Sequence, residues 1–199
     1  MPVYEGIGSP TWETVRSVAA RGRARIRFKT LAQQPDIEKL RIRVTYKNQR
    51  KSALSRPVSL KVWSWVPLRE IPTYYSSPSA SLVELPIGGR KYPAWGAYFG
   101  SALSYESRFT AGRNCKTFRG IAGLTDASQD GATGTVQVSA DEQLVWSSPT
   151  LTPGVTVPIE LALSLPYRFA LVATNTSSPG VRSYPAVGNP ELLCSGLDR

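Results

Sequence analysis

The sequence predicts an all-β protein, and three observations carry that expectation. Sixteen Gly and sixteen Pro among 199 residues, with abundant Ser, Thr and Val, place turn formers at short intervals. Apolar residues recur at every second position along several runs, which is the period of a half-buried strand. Continuous helical periodicity is nearly absent. No apolar run approaches the ~20 residues that span a bilayer, and Pro2-Val-Tyr-Glu-Gly6 after Met1 lacks the basic start and apolar core of a signal peptide.

Taken in order, the first dozen residues read as an extended arm with Gly6, Gly8 and Pro10. Thr11 to Ala20 serves as a strand, although Ser9-Pro10 is also a helix-start signal. The next two strands alternate most clearly. In residues 23–29, Ala24, Ile26 and Phe28 share one face and Arg23, Arg25, Arg27 and Lys29 the other. In residues 39–47, Leu40, Ile42, Val44 and Tyr46 point inward while Lys39, Arg41, Arg43 and Lys47 point outward. A third strand, Val58 to Val66, sets Val58, Leu60, Val62 and Val66 against Lys61, Trp63 and Trp65. Pro67 to Ser81, with three prolines and a Ser-rich tail, reads as a linker or crossover held down by Tyr74 and Tyr75.

Charge divides the chain at the same place. Residues 1–70 hold 15 Lys/Arg and 5 Asp/Glu, whereas residues 71–199 hold 9 of each, so the formal charge of +10 belongs wholly to the first part. The organisation expected is a basic antiparallel domain over residues 1–70, a linker at 71–81 and a second domain over 82–199. Like charges on adjacent strands repel, by up to ~1 kcal/mol per opposed pair. An anionic partner over Arg23, Arg25, Arg27, Arg41, Arg43, Lys61, Trp63 and Trp65 relieves that repulsion, whereas a merely solvated face leaves it in place. The arginine-rich composition fits an acidic protein surface or an anionic polymer, since guanidinium groups match carboxylates two at a time. Nucleic acid is the weaker candidate, because no RNP, zinc-finger or helix-turn-helix signature accompanies the charge.

The second domain is organised around residues 115–146. Cys115 to Asp126 is a strand with Phe118 and Ile121, Ala127 to Gly134 a turn, and Thr135 to Ser139 a strand alternating about Val136 and Val138. Asp141-Glu142 turns the chain into Leu144-Val145-Trp146. Val155 to Leu163 and Phe169 to Val172 supply further strands, Gly188-Asn189-Pro190 a turn, and Glu191 to Cys194 a closing strand.

These residues also carry a resemblance. Cys115, Phe118, Gly123, Leu124, Asp126, Gly134, Val136, Val138, Ala140, Asp141, Val145, Trp146 and Ser148 follow a pattern similar to the NPCBM carbohydrate-binding modules. Residues 85–105, with Tyr92, Gly96, Gly100, Ser101 and Tyr105, resemble that family's lead-in. The resemblance covers residues 80–199 and implies a jelly-roll β-sandwich with a non-catalytic, glycan-binding role. The family's histidine near the lead-in serine and its C-terminal Asp-His run have no counterpart here, because the chain contains no histidine. A sugar site therefore has to come from other residues. Tyr92, Trp95 and Tyr184 are expected as exposed rings for stacking, with Asn189 and Glu191 as polar contacts; Tyr98, Phe99 and Tyr105 are further aromatics for such a platform or for the core.

Cys115 and Cys194 sit near the two ends of this module, and a disulfide between them is expected, the alternative being two buried thiols. A disulfide places maturation outside a reducing cytosol, which fits an extracellular module or a virion-surface decoration protein. No cofactor is expected. Two cysteines without histidine do not make the usual zinc site. Asp126 and Asp130 could help hold calcium, but carboxylates in such a turn more often bond to the backbone. Catalysis lacks support: no histidine base, Gly-x-Ser-x-Gly motif, phosphate loop or paired carboxylates can be read.

Overall fold

The computed structural model describes residues 2–6, 37–45, 52–59, 61–97, 99–100 and 102–195. The chain divides into two compact units, with the break between Ser64 and Trp65. Among the described residues no helix is long and apolar enough to cross a membrane.

In the first unit, β2 (Ile37–Thr45) is the centre of a small sheet. β1 (Pro2–Gly6), β3 (Ser52–Leu54) and β4 (Val58–Ser59) all pair with it in antiparallel fashion. The expected arm is thus a strand where its backbone is described, with Val3 opposite Arg41. The strand expected at residues 23–29, including Arg23, Arg25 and Arg27, lies outside the described residues. β2 corrects the expected orientation at its end: Val44 is 43% exposed and Arg43 is half-buried. Alternation fixes which residues share a face, but the face that is covered depends on what packs over it. The expected third strand is also broken. Val58, 62% exposed, belongs to β4, whereas Trp65 belongs to β5 (Ser64–Pro67), which joins a different sheet.

The second unit, Trp65–Cys194, is a sandwich of two antiparallel sheets. The six-stranded sheet runs β13 (Thr156–Ala162), β10 (Cys115–Leu124), β15 (Pro185–Cys194), β8 (Arg90–Gly96) and β7 (Ser81–Ile87), with β5 also paired to β15. The five-stranded sheet runs β12 (Gln143–Ser147), β11 (Gly134–Ala140), β14 (Arg168–Asn175), β9 (Ser104–Thr110) and β6 (Thr73–Ser76). A 3-10 turn at Leu68–Glu70 follows β5. Non-sequential neighbours in both sheets require crossovers between them, as a jelly-roll arrangement does.

The core forms where the alternating strands face one another. Val136 and Val138 of β11 and Leu171 of β14 are fully buried. The Phe118 ring of β10 meets Phe169 of β14 at 4.8 Å between centroids, and Phe109 of β9 meets the same ring at 6.3 Å. Such tilted contacts add about 0.5–1.5 kcal/mol each beyond the area they bury. Buried polar atoms are tied across the layers: Trp95 Nε1 donates to Ser107 Oγ at 2.8 Å, and the Tyr105 hydroxyl donates to the carbonyl of Pro185. Burial pushes the Tyr105 phenol well above its ordinary value. Cys115 and Cys194, directly opposed in β10 and β15, are joined by a disulfide, so the expected pairing is present.

Two expectations on connections are corrected. Residues 71–81 are not a free linker, because Thr73–Ser76 forms β6. The carbonyl of Pro72 accepts from Thr110 N, and Ser77 N donates to the carbonyl of Glu106. Proline removes a donor but keeps its acceptor, so a proline-flanked edge strand still pairs. Tyr74 and Tyr75 do not pack this segment down; they remain 43% and 46% exposed. Gly188-Asn189-Pro190 is no turn either but lies within β15. The Asp141-Glu142 turn is as expected, with both residues at positive φ, the requirement of a tight two-residue hairpin.

Candidate functional site

The departure within β15 borders a candidate site. Arg119 of β10 pairs with Glu191 and Ile121 with Gly188, so Asn189 and Pro190 together oppose the single residue Gly120. This is a β-bulge, which re-aims the side chains it carries. Asn189 takes φ +46°, a left-handed conformation that asparagine tolerates better than most residues. Gly120 accommodates it: a Cβ there would lie 2.6 Å from Val187 Cγ1 and 3.3 Å from the Gly188 carbonyl.

The bulge borders a cleft of about 280 Å³ between the 3-10 turn, β7, β8 and β15. Leu82, Val83 and Pro93 are among its apolar lining residues, and Arg69, Glu84, Asn189 and Glu191 among its polar ones. Glu191 is fixed from behind. Arg119 Nε donates to its Oε2 at 2.7 Å and Nη2 approaches the same oxygen at 2.6 Å. The Arg119 guanidinium in turn lies 3.9 Å from the Trp65 ring centroid. Both contacts fall on Oε2, so the carboxylate is oriented from one side.

Of the residues expected at a sugar site, the structure brings Asn189 and Glu191 together here. Tyr92 is half-buried, its ring over Gly188, where a Cβ would lie 2.9 Å from its Cγ. It joins Leu85, Ile87, Ala94 and Ala186 in a small apolar cluster. Trp95 and Tyr184 are corrections. Trp95 is fully buried against Tyr105 and hydrogen-bonded inward, and Tyr184 is buried with its hydroxyl donating to the Gly100 carbonyl. Their polar tips find partners inside, so the rings fill the core rather than face a ligand. Tyr105 is likewise core, Phe99 is exposed, and Tyr98 lies outside the described residues.

Asp126 Oδ2 accepts from Gly89 N at 3.0 Å, tying its turn to the β7–β8 hairpin. Among the described residues no group of three or more Cys, Asp or Glu side chains is placed to hold a metal. Of the residues expected on the cationic docking face, Lys61 lies over the Trp63 ring at 4.8 Å, while Trp65 sits in the sandwich under Arg119. Arg41 is placed only by its backbone pairing with Val3. Sequence reading missed Arg69 and Glu84 because nothing in their spacing joins them. Arg119 could have been found only from the pairing of β10 with β15.

A family profile described as the NPCBM/NEW2 domain matches residues 76–184. The chain belongs to the NPCBM/NEW2 domain family. Solved structures of CBM51 carbohydrate-binding modules share its fold at low identity. The CBM51 of Clostridium perfringens GH95, solved in complex with methyl-galactose, is 18% identical with a TM-score of 0.51, covering 65% of this chain and 99% of that one. The C. perfringens ZmpB structure containing the M60 catalytic domain with CBM51-1 and CBM51-2 is 12% identical with a TM-score of 0.54. The match covers 79% of this chain but only 18% of that one. Tandem CBM51 modules of Sp3GH98, a family 98 glycoside hydrolase from Streptococcus pneumoniae SP3-BS71, are 9% identical with a TM-score of 0.52, covering 72% and 53% of the two chains. No curated protein matches the sequence. As an NPCBM/NEW2 member the sandwich is of the non-catalytic carbohydrate-binding type, and some of its structural neighbours are modules appended to enzymes.

Proposed function

We propose that this chain is a non-catalytic, extracellular glycan-binding protein and that the cleft at the Asn189 bulge takes the sugar. The bulge is the observation that carries the reading. It spends backbone strain to set a carboxamide beside an oriented carboxylate, in a cleft with apolar lining residues, and stored strain of this kind clusters at ligand sites. A pyranose has one apolar C–H face and a rim of hydroxyls. Leu82, Val83 and Pro93 suit the face; Asn189, Glu84 and Glu191 accept from the hydroxyls, and Arg69 and the Asn189 amide donate. A volume near 280 Å³ lies at the small end of ligand pockets, suited to roughly one sugar ring.

A glycan-array screen of the full chain identifies the sugar, with methyl-galactoside among the first neutral probes, since a similar module was solved with methyl-galactose. Titration of the hit against Asn189→Gly and Glu191→Ala then tests the site. The glycine keeps the left-handed backbone and removes only the carboxamide. Binding is expected to weaken about tenfold with either variant, the worth of one or two hydrogen bonds to a polar ligand. An array without any bound glycan, or full affinity in both variants, rejects the reading.

The charge distribution favours a companion reading, in which residues 1–70 attach this module to an acidic protein surface or anionic polymer, a virion exterior being one such body. Arg25, Arg27 and Arg41 changed together to Ser should release the chain from that surface in a co-sedimentation assay. Retention equal to wild type removes this reading and leaves the glycan site untouched.

A further inference from the structure

A second β-bulge marks a different surface of the same sandwich. In the edge strand β6, Thr73 pairs with Phe109 and Tyr75 with Arg108, so Tyr74 is the extra residue. A bulge turns consecutive side chains toward one side, and both tyrosines meet arginines there. Arg108 lies 5.4 Å from the Tyr75 ring centroid, and Arg168 of β14 lies 4.2 Å from Tyr74 and 5.8 Å from Tyr167. Arg108 and Arg168 share the outward face of the five-stranded sheet, since Arg108 pairs with Ala170 and Arg168 with Thr110 while the buried residues alternate between them. Three tyrosine rings between 43% and 48% exposed therefore surround two guanidinium groups on a rigid sheet.

The two arginines are not equivalent. Arg108 is paired with Glu106 at 2.9 Å. Arg168 lies over the Tyr74 ring, and among the described residues no carboxylate forms an ion pair with it. Its neighbour Asp141 commits Oδ1 to the backbone N–H groups of Tyr167 and Arg168, at 2.9 and 2.8 Å. A guanidinium presents five N–H donors in a planar fork. With the Tyr74 ring centroid 4.2 Å away, the guanidinium is backed by an aromatic face, and a carboxylate is the geometric and electrostatic match for its donors.

We propose that the Tyr74–Tyr75–Tyr167–Arg108–Arg168 cluster is a second glycan subsite, selective for a sugar that bears a carboxylate. The tyrosines supply ring faces for the apolar side of the pyranose, and Arg168 binds the carboxylate. The inference rests on the reading of the chain as a glycan binder but uses none of the cleft residues. Tyr74 and Tyr75 also precede the region matched by the family profile, so the cluster adds to what the NPCBM/NEW2 resemblance supplies.

Calorimetric titration with matched pairs tests it: oligogalacturonate against its methyl ester, and sialyllactose against lactose. The first pair offers a hexuronate and the second a nonulosonate, so whichever acid binds identifies the source of the carboxylate. One acid of the two should bind at least about tenfold more tightly than its neutral partner, as loss of a charge-assisted hydrogen-bond pair implies. Arg168→Gln and Tyr74→Ala should remove that preference while leaving neutral-sugar binding in the cleft unchanged. Asn189→Gly should do the reverse. Equal binding of acidic and neutral partners overturns the subsite, and so does an acid preference that survives Arg168→Gln. An acid preference abolished by Asn189→Gly instead moves the acid to the cleft and also overturns it, with glycan binding itself intact. A concentration-dependent dimer in sedimentation that Arg168→Gln dissolves, without any acid preference, assigns the cluster to self-association and rejects the proposal. Failure of every sugar, neutral or acidic, rejects the glycan reading as a whole.

Discussion

β2 and β11 look alike in the sequence and differ in the folded chain. Ile-Glu-Lys-Leu-Arg-Ile-Arg-Val-Thr and Gly-Thr-Val-Gln-Val-Ser-Ala both set apolar residues at alternate positions. In β11 the rule sorts side chains as expected, and Val136 and Val138 are fully buried. In β2 the same rule leaves Val44 43% exposed and Arg43 half-buried. β11 lies between β12 and β14 in a sheet whose inner face meets a second sheet. Over Arg43, Val44 and Thr45 the described partner of β2 is β3, a strand of three residues. Alternation divides a strand into two faces, whereas burial requires another layer, and only the sandwich supplies one among the described residues.

The disulfide offers the strongest way to break this contrast. Replacing Cys115 and Cys194 by Ser removes a cross-link spanning 79 residues, which constrains the unfolded sandwich by roughly 4 kcal/mol in the chain-entropy model. Urea unfolding followed by core tryptophan fluorescence should show a loss of that order. A loss below about 1 kcal/mol would mean that the core alone sets the stability of the sandwich.

A smaller effect sharpens the comparison directly. Val138→Ala opens a cavity at a fully buried site and should cost about 1.5–2.5 kcal/mol, between the usual losses for Ile→Val and Leu→Ala. Val44→Ala, at a site already open to solvent, should change stability by no more than about 0.5 kcal/mol. Equal shifts in the two urea midpoints would erase the distinction drawn between the strands.

The smallest effect probes how dry the sandwich interior is. Burial raises the Tyr105 phenol above its ordinary value of 10.0, so the folded state keeps a proton that the unfolded chain releases. The resulting stability is complete below pH 10 and declines as pH rises through and beyond it. Tyr105→Phe should flatten that decline in alkaline melting curves, at a cost of about 1 kcal/mol at neutral pH for the lost hydrogen bond to Pro185. An unchanged alkaline slope would place the phenol in contact with water.

By itself the sequence determined the all-β class, the order of the strands from β10 to β14 and the Asp141-Glu142 hairpin, and it favoured the pairing of Cys115 with Cys194 over two free thiols. These depend on local period, on turn chemistry and on a family pattern spread over most of the module, all of which survive in a linear reading. The tertiary structure decided which candidate residues are available for function. Trp95 and Tyr184 became core because a neighbouring strand and a loop placed hydrogen-bond acceptors at their polar tips, and exposure is set by those neighbours. Tyr74 and Tyr75, read as fastenings for a linker, became the exposed rings because β6 found an edge to pair with and bulged there. Asn189 and Glu191 came together with Arg69 and Glu84 only through a register shift between β10 and β15. Register belongs to a pair of strands, and no single strand records it.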